Sequence, residues 1–208
     1  GQVEHINDFA ARLTEKYSGK IISFGGIHPD CGNYRQELSR IKELGLKGIK
    51  IHPVYQGTDI TDRKFLRILD RAAELGLIVV THTGFDIGFP GINRCSPQMI
   101  AEVLAAVGDF TLVAAHMGGW RQWDAAIKYL SPTKVYIDTA FSFGKITPAH
   151  DENPDPMRLQ MLSAEDFRRF LTAFSAERIL FGTTEYTSSV TFRKEVSDHV
   201  PIVMVIEM

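Results

Sequence analysis

This sequence of 208 residues lacks several features that would define a special class of protein. Its two cysteines, Cys31 and Cys95, form no C-x-x-C pair and no secretory leader is visible, so both are expected to be thiols in a reducing compartment. No apolar run approaches the ~20 residues that a membrane-spanning helix needs. The formal net charge of −2 gives no electrostatic basis for binding nucleic acid or an anionic membrane. These absences predict a cytoplasmic globular protein.

What the sequence contains is a regular alternation of helical and strand patterns. Such alternation predicts one α/β domain, residues 1–208, with a parallel sheet. An open doubly wound sheet and a (β/α)8 barrel both fit, but no glycine-rich nucleotide fingerprint follows any strand, which disfavours the first. No pattern is assigned to residues 186–208. The predicted strands are 20–27, 46–51, 77–82, 111–116, 134–139 and 178–183, and the helices are 3–17, 33–44, 61–75, 97–107, 122–130 and 163–175.

Two of the predicted strands end in the same way. The run 77–81 leads into His82 before Gly84, and the run 112–115 leads into His116 before Gly118. Because the carboxyl ends of parallel strands face the ligand crevice, two histidines at two such ends are expected to converge. For each histidine taken alone, hydrogen bonding to nearby backbone explains its position as well as a functional site does. The repetition of the pattern is what favours a site.

Five short segments carry a resemblance to a known family. In order, they are FGGIHP (24–29), GLKGIKIHP (45–53), VTHTG (80–84), AHMGG (115–119) and RILFGT (178–183). Over about residues 20–184 the chain resembles the amidohydrolase-related family of metal-dependent TIM-barrel hydrolases and decarboxylases. The resemblance implies a (β/α)8 fold and a small-molecule substrate.

The resemblance also implies roles for individual residues. In that family a His-x-His pair on the first strand, a His after the fifth and an Asp after the eighth bind one divalent metal, usually zinc. His82 matches the fifth-strand ligand, and His116 matches the sixth-strand histidine that serves as catalytic base. Neutral imidazole is a good zinc ligand, and zinc lowers the pKa of a bound water to about 7, where a second histidine can exchange its proton.

The sequence departs from the family pattern at two places. It contains no His-x-His, and Thr184 occupies the position of the last aspartate, which leaves Glu185 as a substitute ligand if that strand end shifts by one residue. We therefore expect an incomplete barrel of about six βα units, truncated at its N-terminal side and without the first two strands. A homodimer is one way to cover the sheet edge that remains open.

Four further residues are predicted to contact substrate. Arg94, Asp86 and Trp120 follow the strands that carry the two key histidines, and His52 follows the strand 46–51. If Gly45 and Gly76 are equivalent joints, His52 points away from His82 and is not a metal ligand.

The leading hypothesis is a metal-dependent hydrolase in which activated water attacks an amide, ester or lactone. A metal-dependent decarboxylase, and a catalytically inactive or fragmentary barrel that acts as a binding module, are the alternatives. A nuclease-type metal barrel ranks below these, because that family would have Glu at the fourth strand end where this chain has Lys50-Ile-His52.

Overall fold

The computed structural model describes residues 1–144 and 160–182, together with the backbone of one strand at 202–205. Thr184, Glu185 and residues 145–159 lie outside the described residues. The described residues form six α-helices: α1 Gln2–Lys16, α2 Tyr34–Glu43, α3 Arg63–Glu74, α4 Pro97–Val107, α5 Trp123–Leu130 and α6 Ala164–Phe174. The strands are β1 Ile21–Gly26, β2 Gly48–Ile51, β3 Ile78–Thr81, β4 Leu112–Ala114, β5 Tyr136–Asp138, β6 Ile179–Leu180 and β7 Ile202–Val205.

The strands form one parallel sheet in the order β6-β5-β4-β3-β2-β1-β7. All six predicted strands are found, and the prediction of a parallel α/β sheet is confirmed. The count of strands was one too low, because the tail 186–208 supplies β7, which pairs with β1. Within the described parts of the chain no pairing joins β6 to β7, so the sheet has two edges there.

Local residues mark several of the helix ends. Asp62 accepts a hydrogen bond from the Lys64 N–H at the start of α3, and Ser96 accepts one from the Met99 N–H at the start of α4. These contacts satisfy amide groups that have no partner inside the helix. Gly45 and Gly76 follow α2 and α3 with φ of +79° and +64°, a conformation that costs glycine little.

The carboxyl ends of β2, β3 and β4 lie side by side along the sheet. All four residues of β2 are buried, as expected for a parallel strand covered on both faces. The helices pack around these strands in a single core that includes Ile49, Val79 and Ala114. Among the helices that the structure describes, none has the length and apolarity to cross a membrane.

Candidate active site

His52 and His82 lie against each other at the ends of β2 and β3. Ile51 pairs with Thr81 in the ladder, so the next residues along the two strands are neighbours. Their imidazole rings are stacked, with centroids 4.1 Å apart and an angle of 17° between planes. The prediction that His52 points away from His82 is therefore wrong. It assumed that Gly45 and Gly76 are equivalent, but the ladder is offset from those joints by one residue, which reverses side-chain direction.

His116 lies in a left-handed turn just beyond β4. His116 and Met117 have φ of +63° and +54°, values that are uncommon for residues with a side chain. Asp138 holds this turn, because its Oδ1 accepts hydrogen bonds from the N–H groups of His116, at 2.9 Å, and of Ala140, at 3.1 Å. Asp138, which is a charge inside the sheet, thus has a structural role that positions His116.

The rings of His82 and His116 are connected by a chain of close polar contacts. His116 Nδ1 is 2.9 Å from the Ala140 carbonyl oxygen, and His116 Nε2 is 3.1 Å from His82 Nδ1. At the other end, His82 Nε2 is 3.1 Å from the Phe85 carbonyl oxygen. Three hydrogen bonds in this row need three protons, whereas two neutral imidazoles carry two. One of the three contacts therefore lacks a proton, and His82 Nε2, which is 3.9 Å from Asp86 Oδ2, is the end of the row at which a cation can take its place.

Asp86 brings a carboxylate to the same place. Its Oδ2 is 3.4 Å from His52 Nε2 and 3.9 Å from His82 Nε2, and all three side chains are buried. Burial raises the pKa of Asp86, but hydrogen bonds from His52 and from the Gly88 N–H outweigh it and the net shift is downward. The group is therefore ionised at neutral pH, and its charge faces two imidazoles.

His82 is held in its neutral form. Burial, followed by the nearby charges of His116, His52 and Lys50, keeps the pKa of His82 well below 6.5. A neutral imidazole beside an ionised carboxylate has a lone pair available for a metal.

A cavity of about 290 Å³ lies beside Asp86. Trp120, one of the residues predicted to bind substrate, is in its wall, and among the described residues the buried indole N–H has no hydrogen-bond partner. A buried donor without a partner costs free energy. The other residues that line the cavity are Phe85, Asp86, Ile87, Pro90, Gly91 and Arg121.

The structure gives Arg94 a partner of its own. Arg94 forms an ion pair with Asp59 at 2.8 Å, and both side chains are partly exposed. Its role in substrate binding stays a prediction, as does that of Glu185, which is outside the described residues. His28 follows β1 as His52 follows β2. Its side chain is 41% exposed and accepts a hydrogen bond from the Asp30 N–H.

A family model described as Amidohydrolase matches residues 4–184. This chain belongs to the amidohydrolase family. The match extends from α1 through β6 and includes each of the histidines described above. No curated protein matches the chain.

Solved structures share the fold of this chain. An uncharacterized TIM-barrel protein from Bordetella bronchiseptica is 20% identical, with a TM-score of 0.57 over 85% of this chain and 58% of that one. A dihydroxybenzoic acid decarboxylase from Polaromonas with bound manganese is 14% identical, with a TM-score of 0.55 over 87% and 63%. A probable 2-pyrone-4,6-dicarboxylic acid hydrolase from Acinetobacter baumannii is 12% identical, with a TM-score of 0.53 over 85% and 62%.

These similarities confirm the prediction of a TIM-barrel type of fold. The chain spans less than two thirds of the length of each of the three structures.

Amidohydrolases depend on a metal, and the residues present fit a divalent cation. The ligand atoms of His52, His82 and Asp86 lie within 4.8 Å of one another. Two imidazoles and one carboxylate form a donor set that zinc, manganese and iron accept. The sequence pattern identified His82 and His116 but not this grouping, which depends on the register of β2 against β3 and on the path of the loop after β3.

Proposed function

We propose that this amidohydrolase is a metal-dependent hydrolase that cleaves an amide, ester or lactone of a small molecule. The observation that carries the proposal is the convergence of buried His82, His116 and Asp86 at the carboxyl edge of the sheet. A divalent metal bound at this edge would supply Lewis-acid chemistry and would lower the pKa of water, so that hydroxide is available as a nucleophile at neutral pH. Zinc is the metal that we propose, with manganese as the alternative.

His82 is the proposed ligand, through Nε2. Its Nδ1 then carries the proton and donates it to His116 Nε2, 3.1 Å away. His116 in turn donates its Nδ1 proton to the Ala140 carbonyl oxygen. This row fixes the tautomer and the orientation of His82, as outer hydrogen-bond partners of metal-binding histidines generally do.

His116 is also the proposed acid/base. With its proton on Nδ1, the atom that receives a second proton is Nε2. That atom contacts His82 in this structure, so it has to exchange this contact before it can take a proton from water or substrate. Asp138 keeps the backbone of the turn in place during such a movement of the side chain.

The test is turnover of nitrophenyl esters, anilides and simple lactones by zinc-loaded, manganese-loaded and chelator-treated protein. We expect hydrolysis only with metal, and a large loss in His116→Ala. Hydrolysis that survives both chelation and His116→Ala would contradict the proposal.

A decarboxylase is the second candidate, and family membership supports it equally. The specific observation in its favour is the cavity beside Asp86, where the rings of Phe85 and Trp120 are accompanied by the Arg121 side chain. Aromatic walls and a guanidinium suit an aromatic carboxylate. Two results together would favour this candidate over the hydrolase. They are release of CO2 from hydroxybenzoates that Arg121→Gln weakens, and no hydrolysis of esters or lactones.

A further inference from the structure

We propose that His52, His82 and Asp86 form a three-ligand site for a divalent transition metal that is complete within the described part of this chain. The proposal rests on the metal dependence proposed above, but it assigns different ligands. The family pattern uses a His-x-His pair, which this sequence does not contain, and a final aspartate, which is Thr184 here. Of the three residues that we assign, only His82 belongs to that pattern.

One separation between ligand atoms matches what a metal requires, and a second is close to it. Zinc bonds of ~2.0–2.2 Å in a tetrahedral arrangement place neighbouring ligand atoms about 3.3–3.6 Å apart. His52 Nε2 and Asp86 Oδ2 are 3.4 Å apart, and His82 Nε2 and Asp86 Oδ2 are 3.9 Å apart. The third separation, between the ligand nitrogens of His52 and His82, is within 4.8 Å, and the two rings are stacked, so both rings have to turn about their side-chain torsions to share one ion.

Two of the three ligands follow strands, and the third lies on a loop. His52 and His82 follow adjacent strands, and the backbone N–H of His52 donates to Gln56 Oε1 while Gln56 Nε2 donates to the Ile27 carbonyl oxygen. Asp86 is on the loop after β3, where its Oδ1 accepts from the Gly88 N–H and leaves Oδ2 to face the imidazoles. The site therefore combines two ligands at strand ends with one ligand on a loop.

A metal would also account for the proton that is missing from the row of contacts through His82 and His116. With a cation on His82 Nε2, two neutral imidazoles satisfy the remaining contacts to His116 and to the Ala140 carbonyl oxygen. The Nδ1 atom of His52 then has to carry a proton. Its contact with the Tyr55 N–H is 3.5 Å long, so little is lost when this contact opens.

The chemistry of the donors selects the class of metal. Two imidazole nitrogens and one carboxylate suit Zn²⁺, Co²⁺, Mn²⁺ or Fe²⁺, whereas Mg²⁺ prefers oxygen ligands and water. Because three protein ligands leave at least one coordination position open, the site has room for a water molecule or a substrate.

The experiment is a titration of the metal-stripped 208-residue protein with Co²⁺, followed by visible absorption, and with Zn²⁺, followed by equilibrium dialysis. The variants are His52→Gln, His82→Gln and Asp86→Asn, which keep most of the side-chain volume. The matched controls are His28→Gln and Asp30→Asn, which change the same residue types at the end of β1. Circular dichroism and thermal melting of each metal-free variant establish that it is folded.

We expect about one equivalent of Co²⁺ in the wild-type protein and in both controls. Loss of an outer hydrogen-bond partner weakens metal binding by about 10–100-fold, so loss of a ligand should weaken it by at least that much in each of the three variants. Mg²⁺ should not compete.

Binding that falls only in His82→Gln and is unchanged in His52→Gln and Asp86→Asn would overturn this ligand set while leaving a metal-dependent enzyme intact. Absence of Co²⁺ and Zn²⁺ binding in the folded wild-type protein would overturn it outright. The proposed function itself stands or falls on the turnover assay.

Discussion

Replacement of Asp138 by alanine tests how the His116 turn is held. The carboxylate of Asp138 accepts two backbone N–H groups, those of His116 and Ala140. Hydrogen bonds to a charged group contribute about 1.5–3 kcal/mol each, so the pair is worth about 3–6 kcal/mol if fully desolvated. Asp138 is only half-buried, so water can replace part of this.

Relaxation of the turn recovers a further part of the loss. His116 and Met117 occupy the left-handed region, and such residues cost about 1–3 kcal/mol each. Once Asp138 no longer holds them, the turn can move to a conformation with less strain. We therefore expect Asp138→Ala to lower the free energy of unfolding by about 2–3 kcal/mol, which for a chain of this size lowers Tm by about 4–12 °C.

The same change has a second consequence at the candidate metal centre. A displaced His116 no longer contacts His82 Nδ1, so Co²⁺ affinity should fall by about tenfold. Asp138→Asn is the control, because its amide oxygen can still accept both N–H groups, and it should lose about 1 kcal/mol or less. Urea unfolding and Co²⁺ titration measure the two effects. A loss below ~0.5 kcal/mol in Asp138→Ala with unchanged Co²⁺ affinity would refute the reasoning.

Three other changes have definite expected outcomes. His116→Asn should weaken Co²⁺ binding by about 10–100-fold if the residue positions His82, whereas a fall in kcat at unchanged affinity would mark it as a base only. Metal-free protein should melt at a lower temperature as pH falls from about 7.5 to 5.5, because the unfolded chain protonates His82 below its usual pKa of 6.5 and the folded chain does not; the slope should be smaller in His82→Gln. Gly84→Ala should cost more than ~2 kcal/mol, since its Cβ would overlap the Trp120 backbone at a φ of +93°, and Gly57→Ala, at +65° in open space, should cost about 1 kcal/mol; equal melting temperatures would contradict this.

The architecture of the sheet could be predicted because its signals are local. Each helix has a 3.6-residue apolar period, and side chains such as Ser96 mark where a helix begins. Glycines such as Gly45 and Gly76 mark where one ends. The strand β7 had no such signal, since no clean alternation distinguishes residues 190–208, and its place is given only by its pairing with β1.

Part of the candidate site could also be predicted from the sequence. His82 and His116 follow two strands that are adjacent in the sheet, and the carboxyl ends of parallel strands share one edge. Their ring nitrogens are 3.1 Å apart. Sequence position was enough to predict this pair, because sheet topology alone brings the two residues together.

The sequence by itself determined the family, the parallel sheet and the two histidines on its edge. Only the tertiary structure decided that His52 joins them, because side-chain direction depends on the register between two strands and changes with a shift of one residue. The same holds for Asp86, whose carboxylate reaches the imidazoles through the path of a loop. It holds also for Asp138, which fixes His116 across neighbouring strands. Contacts between segments distant in sequence have no local pattern, so the ligands that complete this site emerge only when the chain is folded.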